Sequence, residues 1–428
     1  MSRGVHRLSS PGTASRRTSG RATGRRLGWG LADQGISSIT NLALGIAVAR
    51  SVDVSAFGAF SLALVTYGVV LNLSRGLATD PLTVRYSGLP DQRWRSAVAQ
   101  SSSTATFVGL GAGAVCALIG WAIAGTVGSC FVALGLALPG LMLQDSWRYA
   151  FFAAGQGQRA FVNDAIWAAA LIPTMLLAGT VGSPFAFVLA WGGSALVAAV
   201  FGCWQIRLVP RAAGVAEWFR AHHDLSVRYA VENVTDGVDS QLRAYGLGAI
   251  TGLAAVGAVR GAQLLLGPFQ ALRMGISLMA VPEATRVLTR SPRRLNTFCV
   301  LLGGSLATVG MAWGFALLLL PSSAGEQLLG PLWHTASALL LPTTLAMAAA
   351  SVYDGALVGL RALGAARRSL RASVTRSVAL VVFGLAGAFV GGAAGSVWGA
   401  LVANLIAIGV AWHQLQAALR GHVPAASD

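Results

Sequence analysis

The run from Arg228 to Arg243, RYAVENVTDGVDSQLR, constrains this chain more than any other stretch. Wound as a helix at 100° per residue, Arg228, Glu232, Asp236, Asp239 and Arg243 fall within about 80° of one another, as one charged stripe. Ala230, Val231, Val234, Val238 and Leu242 lie outside it, and long apolar stretches flank the run on both sides. It therefore reads as a membrane-spanning helix. At ~3 kcal/mol per charged residue, turning the stripe to lipid would cost roughly 15 kcal/mol. The stripe must face other helices or a water-filled cavity, along roughly 22 Å of a ~30 Å hydrocarbon core. A second reading stands beside this one. Arg228 with Glu232, and Asp239 with Arg243, are spaced for pairing on the same helix, which leaves only Asp236 unmatched there.

Composition agrees with a membrane solvent. Of 428 residues, 55% are hydrophobic and 11% charged, against ~25% charged in soluble proteins. With a mean hydropathy of +0.65 the chain reads as all-α and polytopic, and a soluble α/β enzyme is excluded. All 31 Lys-plus-Arg residues are arginine. The net charge of +16 does not point to nucleic acid, because the arginines are sorted by membrane side. Cys116, Cys130, Cys203 and Cys299 sit in apolar segments without a CxxC or a nearby His pair, and read as small buried hydrophobes. No cofactor or metal set is evident.

About twelve spans are predicted: 27–50, 56–79, 97–123, 127–154, 159–179 and 184–206, then 228–250, 252–288, 297–320, 332–360, 370–390 and 392–418. Pro81, Pro90, Gly182-Ser183-Pro184, Pro210, Pro321 and Gly391-Gly392 mark breaks, and Pro268 predicts a kink within the eighth span. Residues 81–95 read as a short interfacial helix, and residues 1–26 as a disordered basic tail with no signal-peptide cleavage pattern. With the N-terminus inside, 24 of the 31 arginines fall at inner ends. Arg50 stands alone near an outer end, and six more lie within helices. This obeys the positive-inside rule at each connection and requires the charged helix to span. The expected organisation is a tail (1–26), a six-helix N-terminal lobe (27–206), a basic linker (207–227), a six-helix C-terminal lobe (228–418) and a short tail (419–428). Both termini would be cytoplasmic. The outer connections are short, which speaks against a membrane-embedded glycan polymerase or glycosyltransferase.

The halves resemble each other. AFGAFSLALVTYGVVL at 56–71 is similar to AVGAVRGAQLLLGPFQ at 255–270, an offset of 199, and Gly155 and Arg159 recur as Gly364 and Arg368, an offset of 209. Six helices per half make a parallel repeat, with the binding site expected near mid-membrane where the lobes meet. Polar residues within the spans gather on the first two helices of each half. The candidate cavity set is Asp33, Asn41, Arg75, Arg243, Arg260, Gln263 and Arg273, with Glu232, Asp236 and Asp239 as candidates for cation coupling. The planar fork of Arg suits phosphate, so the arginines point to an anionic or pyrophosphate-bearing substrate. Asp145 and Arg148, three apart, are expected to pair. Asp164 is expected to start a helix, Arg376 to line the second lobe or snorkel inward, and His222 and His223 to lie in a basic loop.

LADQGISSITNLALGIAVARSVDVSAFGAFSLAL, with Ala49-Arg50 and Phe57-Gly58, resembles the opening of polysaccharide exporters of the multidrug/oligosaccharidyl-lipid/polysaccharide flippase superfamily. GQGQRAFVNDAIWA (155–168) is similar to their inner turn between the fourth and fifth helices, and GAVRGAQLLLGPFQALRMGISLMAVPEATR (257–286) to their eighth helix. The resemblance covers the chain after residue 26. It implies a V-shaped, two-lobed bundle in the bacterial cytoplasmic membrane. That bundle would flip a polyprenyl-(pyro)phosphate-linked saccharide by alternating access, often coupled to an H+ or Na+ gradient. Partners implied are membrane lipid and the glycosyltransferases or polymerase of the same pathway. The alternative is a cation-coupled drug exporter of the same superfamily.

Overall fold

The computed structural model describes residues 14–87 and 91–421, all of them in helices and the short turns between them. Helix α1 (Ala14–Ser51) begins inside the segment expected to be disordered, whose first thirteen residues lie outside the described range. A tight corner follows. The Asp53 carboxylate accepts from the amides of Ser55 and Ala56 at 2.8 and 3.0 Å and caps α2 (Val54–Ser74). Then α2 passes through a π-helical turn, Arg75–Thr79, into α3 (Asp80–Tyr86), making one rod from Val54 to Tyr86. The separate interfacial helix expected over 81–95 does not form. Pro81 need not break the rod, because Leu77 O, the acceptor its missing N–H leaves open, takes Trp218 Nε1–H and Ser226 Oγ–H at 2.9 Å instead.

The remaining N-terminal elements are α4 (Asp91–Ile123), α5 (Gly125–Ala153), α6 (Gly157–Val181) and α7 (Pro184–Ile206). They pack α4 on α5, α5 and α6 on α7, and α1 on α6. The second half holds α8 (Ala213–Thr251), α9 (Leu253–Leu265), α10 (Gly267–Leu288), α11 (Pro292–Leu318), the short α12 (Ser322–Leu329) and α13 (Trp333–Ser337), α14 (Leu340–Ala362) and α15 (Ala366–Arg420). The break expected at Pro268 falls between α9 and α10, with Pro268 in the first turn of α10. Helix α15 folds back on itself at Gly391-Gly392, where Gly392 takes φ 59°. The two arms then pack with Gly387 against the Gly395 backbone and Gly399 against that of Phe383, closer than any Cβ allows. Among the described residues eight helices are long and apolar enough to cross a membrane, and the chain is a multi-pass membrane protein.

The internal repeat is written in the contacts. Helix α5 ends in a Schellman turn with Gly155 at φ 69°: its N–H bonds Phe152 O at 2.9 Å and that of Gln156 bonds Phe151 O at 2.8 Å. Helix α14 ends the same way 209 residues later. Gly364 has φ 65°, its N–H reaches Arg361 O and that of Ala365 reaches Leu360 O, both at 3.0 Å. The 199-residue offset joins α2 to α9 directly. A Cβ on Gly58 would strike Leu253 O and one on Gly257 would strike Val54 O, and either would come within 3.2 Å of the other glycine's amide nitrogen. Equivalent residues thus meet reciprocally about a local two-fold axis.

The stretch expected as a linker is helical from Ala213. Trp218, His222, Ser226 and Ala230, four residues apart, form one buried face of α8. That face reads the π turn of the first half. Trp218 Nε1–H and Ser226 Oγ–H both donate to Leu77 O at 2.9 Å, and Gly76 sits against the Ala230 backbone. Arg85 binds Ala221 O and the Asp224 carboxylate at 2.8 Å each, and Tyr86 OH lies 3.0 Å from His222 Nε2. His222 is therefore a packed helix residue stacked on Trp218 (3.9 Å between rings), with burial holding its pKa below the ordinary value.

Candidate functional site

Two groups of polar side chains occupy the interior, and they differ in kind. The larger opening is a cavity of 840 Å³ between the halves. From the first half it is lined by Ser38, Asn41 and Gly45 of α1 and by Phe57, Phe60 and Ser61 of α2. The second half lines it with Ser240 and Arg243 of α8, Arg260 and Gln263 of α9, Gln270 and Arg273 of α10, and Arg376, Ser396 and Asn404 of α15. The cationic side chains therefore belong to the wall of the second half, and the first lines the cavity with uncharged groups only, apolar ones together with Ser38, Asn41 and Ser61.

The arginines of that wall are held but not neutralised. Arg243 has Asp239 of its own helix at 3.6 Å, and its aliphatic stem rests near Gly384 of α15. Arg260 has only Gln263 Oε1, at 3.2 Å. Arg376 donates from Nε to Asn404 Oδ1 at 3.0 Å, with its guanidinium carbon 4.8 Å above the Tyr353 ring. Arg273 alone has a close acid, Asp354 at 2.8 Å. The buried Nε–H groups of Arg243 and Arg273 have no acceptor among the described residues. Cations in low dielectric are costly without a counter-charge, and this wall holds more cationic than acidic groups among the described residues.

The second group is closed and lies inside the first half. Arg75, the first residue of the π turn, forks onto Asp145 of α5 with Nε–Oδ2 3.0 Å and Nη2–Oδ1 2.7 Å. Arg148 Nε donates to Asp33 Oδ2 at 2.7 Å and lies 3.5 Å from Asp164 Oδ2. Gln144 donates to Asp164 at 2.8 Å, and Asn163 holds Ala198 O at 2.9 Å. Asp33 is fully buried.

The placement of each expected residue follows. Asn41, Arg243, Arg260, Gln263 and Arg273 line the cavity. Asp33 and Arg75 do not: each meets an opposite charge on α5, and these pairs draw both into the closed group. The expected pairing of Asp145 with Arg148 fails for the same reason, since each finds a better-aligned partner on another helix. Asp164 is buried two turns inside α6 instead of starting it. On α8, Asp239 pairs with Arg243, whereas Arg228 and Glu232 are exposed and form no ion pair with each other. The Asp236 side chain lies outside the described residues. Sequence reasoning missed Arg376 and Asn404 as cavity residues. The 209-residue offset gives no signal for them, since it matches Arg376 to Trp167 and Asn404 to Ala195, neither of them charged.

No protein-family model and no curated protein matches the sequence. Solved structures share the fold. The lipid II flippase MurJ in an inward closed conformation superposes with a TM-score of 0.69 at 10% identity, covering 91% of this chain and 87% of that one. An inward-facing multidrug resistance MATE transporter of the MOP superfamily gives 0.65 at 14% identity, covering 91% and 96%. A MATE structure in complex with MaD3S gives 0.51 at 13% identity, covering 91% and 94%. The chain has the fold of MOP-superfamily transporters.

Proposed function

We propose that this chain moves a polyprenyl-(pyro)phosphate-linked saccharide between membrane leaflets, as a two-lobed transporter with lobes near 27–206 and 228–418 alternating about the central cavity. One observation carries the reading. Arg243, Arg260 and Arg376 face one 840 Å³ cavity with, among the described residues, no carboxylate closer than the 3.6 Å of Asp239. A cationic drug would meet repulsion there, which disfavours the exporter reading. A phosphate satisfies the unused donors of the guanidinium forks. The apolar wall of α2 gives the aliphatic part of such a molecule a surface, and Asn41, Gln263, Gln270 and Asn404 offer hydroxyl partners.

Coupling to an H+ or Na+ gradient is assigned in this proposal to Glu232, Asp236 and Asp239 of α8. Asp236→Asn should then abolish dependence on the gradient while substrate binding persists. Unchanged pH and sodium dependence in that variant would remove the assignment and leave the rest standing.

The test of the main reading is reconstitution in liposomes with a short lipid-linked saccharide. Movement between leaflets is scored by accessibility to an impermeant reagent, and the glycan is weighed before and after. Movement without change of mass, lost in Arg376→Gln, is the expected result. Glycan elongation without any other enzyme would make the protein an enzyme. Movement of cationic dyes with no response to lipid-linked saccharide would make it a drug exporter.

A further inference from the structure

A second, smaller opening lies on the far side of α1 from the cavity. It is a groove of 420 Å³ between α1 and α6, floored by the buried Leu44, Leu171 and Phe187 and rimmed by the exposed Ile172 and Leu176. Almost everything in it is aliphatic or aromatic. Its exceptions are Arg50 and Ser51, at the end of α1, and the Ser51 hydroxyl is already donated to Ala47 O at 2.8 Å. On the helical wheel, Ala43, Ala47 and Arg50 point about 180° away from the cavity residues Asn41 and Gly45. The α1 backbone thus stands between the groove and the cavity, with Leu44 bordering both, and the groove's outer rim of Ile172 and Leu176 is exposed.

Arg50 is anomalous by two independent measures. Among the described residues it is the one arginine near the helix ends that otherwise lack them. It is exposed, with no carboxylate within 4 Å among the described residues, and its neighbour Asp53 is already committed to capping α2. Its backbone is fixed as well. Gly330, between α12 and α13, packs against Arg50, where a Cβ would come within 3.0 Å of Arg50 Cα. The cation therefore stands at a defined place, where the mouth of an apolar groove adjoins the contact between α1 and the α12 segment.

We infer that this groove holds one acyl chain of a resident anionic glycerophospholipid, with its phosphate on Arg50. The chain occupies the aliphatic trough and the phosphate supplies the missing counter-charge. An anionic headgroup is preferred over a zwitterionic one, whose ammonium would return a positive charge beside the guanidinium. A single arginine near the membrane surface supports a preference of roughly fivefold. The occupant is a bilayer lipid and not the transported cargo, because Ala43, Ala47 and Arg50 face away from the residues that α1 turns to the cavity.

The experiment equilibrates the purified full chain with vesicles of equal phosphatidylglycerol and phosphatidylcholine, extracts it in mild detergent, and counts retained lipids by native mass spectrometry. The unaltered protein should retain phosphatidylglycerol over phosphatidylcholine by about fivefold. Arg50→Gln should erase the preference while still retaining one lipid, and Arg50→Lys should keep most of it. Ala47→Trp, which fills the trough, should abolish retention. Arg376→Gln, in the cavity, should leave retention unchanged, so the result is independent of the transport reading. Equal preference in the unaltered protein and in Arg50→Gln overturns the proposal. So does displacement of phosphatidylglycerol by an equimolar polyprenyl phosphate, which would make the groove a cargo site.

Discussion

The two halves of the chain are built on one frame, yet their interiors are finished differently. In the first half the second and fourth spans are joined by Arg75 and Asp145, and in the second half by Arg273 and Asp354, which stand at offsets of 198 and 209. Beside these pairs Gln144 donates to Asp164, and at an offset of 209 Tyr353 OH lies 3.3 Å from Ser373 Oγ. The first half then adds Arg148, Asp33 and Asp164 and closes the group. The second half has Leu357, Glu232 and Ser373 at the matching places, by the same 199 and 209 offsets. With leucine in place of Arg148 no cation can bind the acid, and Glu232 is exposed where Asp33 is buried. The lesson is that a repeated frame permits specialisation. One copy locks its charges together as structure, and the other leaves Arg243 and Arg376 free to face a cavity.

Breaking the pairs should show the difference most strongly. Asp145→Asn leaves Arg75 and its neighbours with an unbalanced buried charge, and the expected loss is about 3–5 kcal/mol. Asp354→Asn frees a guanidinium that already borders the cavity, where water can reach it, and about 1–2 kcal/mol is expected. Fluorescence-detected thermal unfolding of both variants in detergent decides. Equal losses would mean that the second half is as closed as the first.

The cavity arginines should behave unlike the pair residues. Arg376→Gln and Arg243→Gln should each weaken binding of a pyrophosphate-bearing lipid about tenfold or more, as expected for charge-assisted hydrogen bonds of about 1.5–3 kcal/mol. Without ligand they should lower the unfolding temperature far less than Asp145→Asn, because Arg243 loses only its 3.6 Å contact with Asp239 and Arg376 only neutral partners. A large loss of stability would return these residues to the structural class occupied by Arg75.

The repeat itself makes a smaller prediction. Gly155→Ala and Gly364→Ala place a Cβ at left-handed φ in equivalent turns, and each should cost about 1–2 kcal/mol. Similar shifts in unfolding temperature are expected, and a marked inequality would show that the two turns do not bear equal loads.

The smallest effect concerns the docking of α8 on the first half. His222 is enclosed by Trp218, Tyr86 and the Arg85–Asp224 pair, and burial lowers its pKa. Its neutral form therefore stabilises the contact above the ordinary histidine value of 6.5. That contribution is lost as pH falls below this value toward the lower folded one, since the released state takes up the proton more readily. Amide protection over 213–226, taken as exchange relative to the intrinsic rate at each pH, should fall between pH 7.5 and 5.5, and His222→Phe should remove the change. Protection that does not respond to pH would exclude His222 as the cause.

Much was legible in the chain alone. Hydropathy runs, Gly and Pro breaks and the one-sided arginines follow from local rules: the price of a charge in hydrocarbon, and backbone positions that only glycine tolerates. These placed nearly every long helix, the break at Pro268, the fold-back at Gly391-Gly392 and the two offsets of the repeat. Stripe geometry on α8 likewise put Arg243 and Asp239 on one face, where they meet. Which charges neutralise which was not legible. Asp145 and Arg148 are three residues apart, but their partners stand on α1, α6 and the π turn, at separations no helical wheel contains. A wheel gives the direction in which a side chain leaves its own helix and says nothing of what another helix brings to it. The tertiary structure made that decision. It took Asp33 and Arg75 out of the cavity and put Arg376 in, because in low dielectric each buried charge settles beside the best-aligned opposite charge that packing presents, near or far in sequence.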